Sequence, residues 1–113
     1  VNLLYTRGVC EGRIDLHTFV RVASTNAARI LGLSTKGDIA VGLDADLCLY
    51  DPNHRGVISA TTHAMQTDYS AFEGFELKGR PRHVVRRGEI VVRDAALVAN
   101  PSQGRLTPRV GTG

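Results

Sequence analysis

Residues 42–51 read GLDADLCLYD, with three aspartates in eight positions: Asp44, Asp46 and Asp51. An Asp-x-Asp pair can supply two oxygen ligands to a hard cation, so the stretch poses a choice between a metal loop and the edges of a strand. Such cations take six or more oxygens, and no further oxygen ligand follows at calcium-loop spacing. The next four residues, Leu47-Cys48-Leu49-Tyr50, form an apolar run bounded by Asp46 and by Asp51-Pro52. That pattern predicts a short strand buried on both faces, with Gly42 and Asp44 in the turn before it and Asp51-Pro52 at its exit. The aspartates are read as punctuation, not as a cation site.

The pattern differs on either side of this strand. Upstream, Asp15 precedes Leu16, Phe19, Val20 and Ala23, the spacing of a helix with one buried face, and Asp15 is a suitable N-cap. The run is expected to break at Ser24-Thr25, which would cap a second short helix through Ala27, Ala28, Ile30 and Leu31. Gly32 falls where a left-handed cap residue belongs, with Leu33 as its apolar partner. Lys36-Gly37-Asp38 reads as a turn. Downstream the period is that of strands: Val57-Ile58-Ser59, a third beginning over Phe75 to Leu77, and then RHVVRRGEIVVRD (82–94). In that stretch Val84-Val85 and Ile90-Val91-Val92 flank Arg87-Gly88, which predicts a β-hairpin. Leu97-Val98 adds a last short strand. From Asn100 the chain is rich in Pro, Gly and Arg and reads as an extended arm.

The chain has 113 residues, 42% of them hydrophobic, and a formal charge of +3 carried by twelve Arg and two Lys. That is enough for one modest domain. Arg80, Arg82, Arg86, Arg87 and Arg93 crowd one region, but 79–98 contains no Phe, Tyr or Trp to stack on bases. A nucleic-acid surface is therefore not expected, and the cluster reads as a solvated strand face. No apolar run spans a membrane and no signal peptide is visible. Cys10 and Cys48 are far apart and read as free thiols in a reducing compartment, so the expected location is cytoplasmic. His17, His54, His63 and His83 show no H-x-H or HExxH, so no metal ligand is assigned to this chain. GxSxG, P-loop and GxGxxG motifs are also missing. The sequence opens VNLLY with no Met, which suggests a piece of something longer.

Several stretches together resemble a known family. KGDIAVGLDADLCLYDP (36–52) is similar to the segment by which amidohydrolase-superfamily enzymes leave their barrel and re-enter a small β-domain. STNAARILGL (24–33), THAMQTDYSAFEG (62–74) and the VVRRGEIVVRD hairpin narrow the resemblance to the dihydropyrimidinase and D-hydantoinase branch. It covers Leu3 to Arg109 in the family's order.

The resemblance implies an α+β fragment: the last helices of a (β/α)8 barrel in 1–34, the C-terminal strands of a small β-sandwich in 35–99, and an extended tail in 100–113. It implies a zinc-dependent cyclic amidase that opens dihydropyrimidines or hydantoins, a cytoplasmic homotetramer with a small cyclic amide as its partner molecule. The two zinc ions would be held outside this chain, which alone would bind none and be inactive. One substrate-binding residue carries over: Asn26 of Ser24-Thr25-Asn26, which in the family holds the ring through its main-chain N–H and C=O. If Ser24 or Thr25 caps a helix, Asn26 lies in its first turn, where N–H groups lack helical partners. Ser-Thr-Asn is also an ordinary helix cap. Asp94-Ala95-Ala96 stands where relatives often carry Asp-Gly, so a left-handed turn there would be strained. The collapsin response mediator proteins, non-catalytic scaffolds with the same fold, are the alternative. They resemble this chain less well at Asp68 to Ala71.

Overall fold

The computed structural model describes residues 1–100 and 104–110. Among these residues helices come first and an antiparallel sheet follows. A first helix, α1 (Asn2–Leu4), widens into a π-helical stretch over Tyr5–Val9. After a turn, α2 (Leu16–Val20) starts at Asp15, whose side chain accepts the Thr18 N–H at 2.7 Å as the expected N-cap. The helix does not break at Ser24-Thr25. It passes through a π-helical segment, Arg21–Thr25, directly into α3 (Asn26–Ile30), and Thr25 makes no capping bond. The serine and threonine hydroxyls point elsewhere, as described below, so nothing there competes with the helical backbone.

The helix ends as the sequence predicts. Gly32 has φ +67. The Gly32 N–H reaches Arg29 O at 3.2 Å and the Leu33 N–H reaches Ala28 O at 2.9 Å, which together make a Schellman cap.

The sheet is a four-stranded meander in the order β1-β2-β3-β4, formed by β1 (Leu47–Val57), β2 (Glu76–Arg86), β3 (Glu89–Arg93) and β4 (Ala96–Leu97). Two expected strands, 47–50 and 57–59, are therefore one. Asp51-Pro52 does not end it, because β1 lies at the sheet edge, where a proline breaks no ladder that a central strand would need. The pairing with β2 does lapse between Asp51 and Arg55. There the Asn53 N–H bonds to Asp51 Oδ1 at 2.9 Å instead. The strand is also not buried on both faces, since Leu49 remains 51% exposed. The β2–β3 hairpin forms as predicted, with φ +48 at Arg87 and +83 at Gly88. These are both positive, as a type I′ turn requires.

Helices meet sheet through three aromatic rings. Tyr5, Phe19 and Tyr50 pack with centroids 5.5 Å, 4.7 Å and 6.4 Å apart for the pairs 5–19, 5–50 and 19–50. Gly79 of β2 lies beneath them with φ +80, and a Cβ there would sit 2.6 Å from Tyr50 Cε1. Burial pushes the Tyr50 phenol up to about 12. Beside the rings, buried Thr6 accepts the Lys78 N–H at 3.0 Å and donates to Asn2 O at 2.8 Å, stitching the first helix to β2.

The tail departs from expectation. The resemblance implies an extended tail, one that in a tetramer would lie on a neighbouring subunit and in this chain alone would be free. Instead Arg109 Nε donates to Leu31 O at 2.9 Å, and the Val110 N–H to Gly32 O at 2.8 Å. A guanidinium on the last carbonyls suits the negative end of a helix dipole. Residues 101–103 and 111–113 of the expected tail lie outside the described residues.

Candidate functional site

The one residue singled out for substrate is Asn26. It is half-buried at the junction of the π segment with α3. Because the helix runs on unbroken, its N–H is not an orphan of a first turn. It donates to Arg21 O in the i→i−5 pattern. The side-chain Oδ1 accepts from Arg29 Nη2 at 3.2 Å. A ligand acceptor could therefore reach this N–H only by sharing it with Arg21 O in a three-centre bond.

The two residues before Asn26 face a loop. Ser24 Oγ and Thr25 Oγ1 both donate to Gly37 O, at 3.2 Å and 2.9 Å. The sequence marked Lys36-Gly37 only as a turn, and nothing local signalled that its carbonyl would meet these hydroxyls.

Lys36 answers the question posed by GLDAD. Its ammonium lies between the two carboxylates, 2.9 Å from Asp44 Oδ2 and also bonded to Asp46 Oδ2. Asp44 Oδ2 accepts in addition from Thr35 Oγ1 at 3.1 Å, and Asp46 Oδ1 from the Arg87 N–H at 2.7 Å. Hydrogen bonds from Lys36 first, then Thr35 for Asp44 and the Arg87 amide for Asp46, hold both carboxyls below the usual range. The carboxylates in return raise Lys36. The pair thus has a resident cation, covalently part of the chain. Among the described residues, no three His, Cys, Asp or Glu side chains gather as metal ligands. A zinc centre does not fit the described residues.

The DYSAFEG stretch (68–74) serves its own loop. Glu73 Oε2 accepts the Ala60 N–H at 2.7 Å, and Phe72 packs edge-on to Phe75 at 6.0 Å. The Gly74 N–H closes the loop base on Ile58 O at 2.9 Å. Tyr69 and Met65 stand outward, 71% and 64% exposed. The histidines are dispersed: His63 Nδ1 accepts the Met65 N–H at 3.1 Å and His83 Nδ1 the Asp94 N–H at 3.3 Å. Cys10 and Cys48 are both free.

The helices thus rest on an antiparallel meander through Tyr5, Phe19 and Tyr50, and the segment between helices and sheet is clamped at Lys36 by Asp44 and Asp46. Residues 2–91 match the amidohydrolase family, and the chain belongs to it. It is 47% identical to the D-hydantoinase of Geobacillus stearothermophilus over 100% of its own length and 24% of that protein's. The solved structure of D-hydantoinase (dihydropyrimidinase) from Thermus sp. superposes with a TM-score of 0.90 at 53% identity, covering 96% of this chain and 24% of that one. Dihydropyrimidinase-related protein 5 of Mus musculus is similar at 34% identity, over 96% of this chain and 19% of its own. The chain thus spans about a quarter or less of the length of these relatives. Among the described residues no helix is long and apolar enough to cross a membrane.

Proposed function

We propose that this chain is the C-terminal part of a cyclic amidase that hydrolyses the ring amide of hydantoins or dihydropyrimidines. In this reading 1–34 complete a barrel, 35–99 supply strands to a β-sandwich, and the whole protein works as a cytoplasmic homotetramer. Hydrolysis adds water across the ring C–N bond, leaving a carboxylate on one side and an N–H on the other. Zinc would polarise the ring carbonyl and activate the water in such an enzyme. The paired carboxylates Asp44 and Asp46 of this chain hold Lys36. The role left to this chain is to hold the ring. Asn26 does so through main-chain groups, with its N–H shared with Arg21 O.

The observation that carries this reading is the agreement with D-hydantoinases over almost the whole chain, in fold and in sequence. A segment exchange tests it. The matching quarter of the Geobacillus stearothermophilus enzyme is replaced by residues 1–113, and ring opening of a hydantoin and a dihydropyrimidine is followed. Turnover within about tenfold of the host is expected. The same exchange with the dihydropyrimidinase-related segment is the control. A folded, zinc-loaded chimera that turns over neither ring, no better than that control, rejects the enzyme reading in favour of a non-catalytic scaffold.

A further inference from the structure

The helix carrying Asn26 is pinned from the side by one peptide. Gly37 approaches it so closely that a Cβ would lie 2.5 Å from Ala28 Cβ and 3.4 Å from Thr25 Cα. That approach, and φ +98, require glycine. From there the Gly37 carbonyl accepts both the Ser24 and the Thr25 hydroxyl. A carbonyl oxygen has two lone pairs and can hold both at once. Serine and threonine inside a helix ordinarily bond back to a carbonyl one turn earlier. These two instead reach 13 and 12 residues along the chain.

The pinned segment is the π-helical stretch Arg21–Thr25, which hands its last bond to the Asn26 N–H. Such wide turns pack less well than α-helix and are commonly found at functional positions. The pin itself is anchored. Lys36, next to Gly37, is held by Asp44 and Asp46, and Asp46 also holds the Arg87 amide. One run of bonds thus leads from the β2–β3 turn to Asn26.

Resting on the cyclic-amidase reading above, we propose that Ser24 and Thr25 are positioning residues: their paired bonds to the Gly37 carbonyl fix the Asn26 turn at the height and rotation that hold the substrate ring. They touch no reacting atom. Their effect falls on how firmly the ring is held, because the backbone groups of Asn26 move with the π segment.

The test uses the full-length protein that contains this segment. The double variant Ser24→Ala/Thr25→Val keeps side-chain volume nearly unchanged and removes both hydroxyls. KM for a cyclic amide should rise about tenfold or more while kcat changes less than about threefold, because misplacement weakens binding geometry and not the bond-breaking groups. Restoring one hydroxyl by Thr25→Ser in the Ser24→Ala background should recover most of the KM. Amide exchange at Asn26 to Ala28 should quicken in the double variant while the 84–92 hairpin is unchanged. Unaltered KM and unaltered exchange overturn the proposal, as does a loss of kcat and melting temperature together that the serine does not rescue. Should the double variant not fold, Thr25→Val alone carries the same readings. A wild-type protein that opens no cyclic amide rejects the enzyme reading and the positioning role with it. An active wild type with an unshifted variant rejects only the latter.

Discussion

Asp46 Oδ1 accepts the backbone N–H of Arg87 at 2.7 Å, across 41 residues of sequence. The neighbouring Gly88 N–H reaches Ala45 O at 3.0 Å. The tip of the β2–β3 hairpin is therefore held by the Asp-x-Asp turn, and Lys36 holds that turn from the other side. This arrangement has a pH signature. Asp44 and Asp46 are depressed from 3.8, chiefly by their bonds to Lys36, so their stabilisation is present above 3.8 and is lost as pH falls through the lower folded value. Lys36 is raised from 10.5 by the same bonds, so its share is complete below 10.5 and fades as pH rises beyond it. The Arg87 amide should be protected from exchange across that window and open on its acid side before the sheet itself unfolds. An Arg87 amide indifferent to titration between about pH 5 and pH 1 contradicts the clamp.

Substitution separates the two bonds of Asp46. Asp46→Asn keeps an oxygen for the Arg87 N–H and loses the charge, whereas Asp46→Ala loses both. The side chain is about one-third exposed, so screening keeps the ion pair weak. Asp46→Ala should cost roughly 1–2 kcal/mol, and Asp46→Asn clearly less, in chemical denaturation of the intact protein. Equal losses in the two variants count against a directed bond to Arg87.

The turn joining β3 to β4 is strained. Asp94 has φ +46 and Ala95 φ +64, both in the left-handed region. An L-residue there costs on the order of 1–2 kcal/mol that glycine avoids, offset in part by the greater freedom of unfolded glycine. Ala95→Gly should stabilise the protein by about 1 kcal/mol, seen as a higher melting temperature. A lower melting temperature contradicts strain at this position.

What the sequence disclosed was local. Asp15 lies within three residues of the amide it caps, Gly32 within four of the carbonyls it closes, and Arg87-Gly88 is its own turn. Chain-local chemistry decides each of these. Ser24-Thr25 misled because a Ser-Thr pair is itself a capping signal. It makes no cap here because its hydroxyls go to Gly37, an acceptor that short-range pattern cannot reveal. Pro52 misled similarly: proline forbids a central strand and permits an edge strand, and only the sheet order makes β1 an edge. The acid pair 44/46 could be freed of a metal role by spacing alone, but Lys36 as its cation needed the fold. Asn26 is marked by family resemblance alone, and in the unbroken helix its N–H is no orphan of a first turn but bonds to Arg21 O.

Gly79 offers a sharp test of the helix–sheet contact. A Cβ at this position meets Tyr50 Cε1 at 2.6 Å and Tyr5 Cε1 at 3.0 Å, on a backbone at φ +80. Overpacking and left-handed strain act together, so Gly79→Ala should destabilise by about 2–4 kcal/mol. The Tyr5–Phe19–Tyr50 cluster should loosen, visible as increased tyrosine exposure to a quencher. Tyr50→Phe keeps the ring and loses only a long bond, 3.3 Å, to Asn2 Oδ1, so it should be nearly neutral. A mild Gly79→Ala variant with unchanged tyrosine exposure shows that the helices do not rest on the sheet here.

The apolar surface left open decides how the 113-residue polypeptide behaves by itself. Among the described residues only Phe19 and Ala28 are buried apolar side chains, and no side chain falls below 2% exposure. Leu16, Val20, Ile30 and Leu31 of the helices are 57%, 50%, 76% and 46% exposed. Each is worth roughly 1.5–3 kcal/mol if fully covered. A set of that size exceeds what soluble monomers ordinarily leave bare, and β1 adds an open edge. The polypeptide should therefore be marginally stable or self-associating, with a sedimentation coefficient that rises with concentration. Its slowest amides should lie in the β2–β3 hairpin from Val84 to Val92, where pairing is local. The bonds from Arg109 and Val110 to the exposed helix end at Leu31 and Gly32 lie at the surface, so they should exchange early. It should also bind no stoichiometric zinc, since its paired carboxylates already hold Lys36. A concentration-independent monomer with slow amides through 14–31 and at Val110 shows instead a self-sufficient domain, one in which helices, sheet and tail need no further covering.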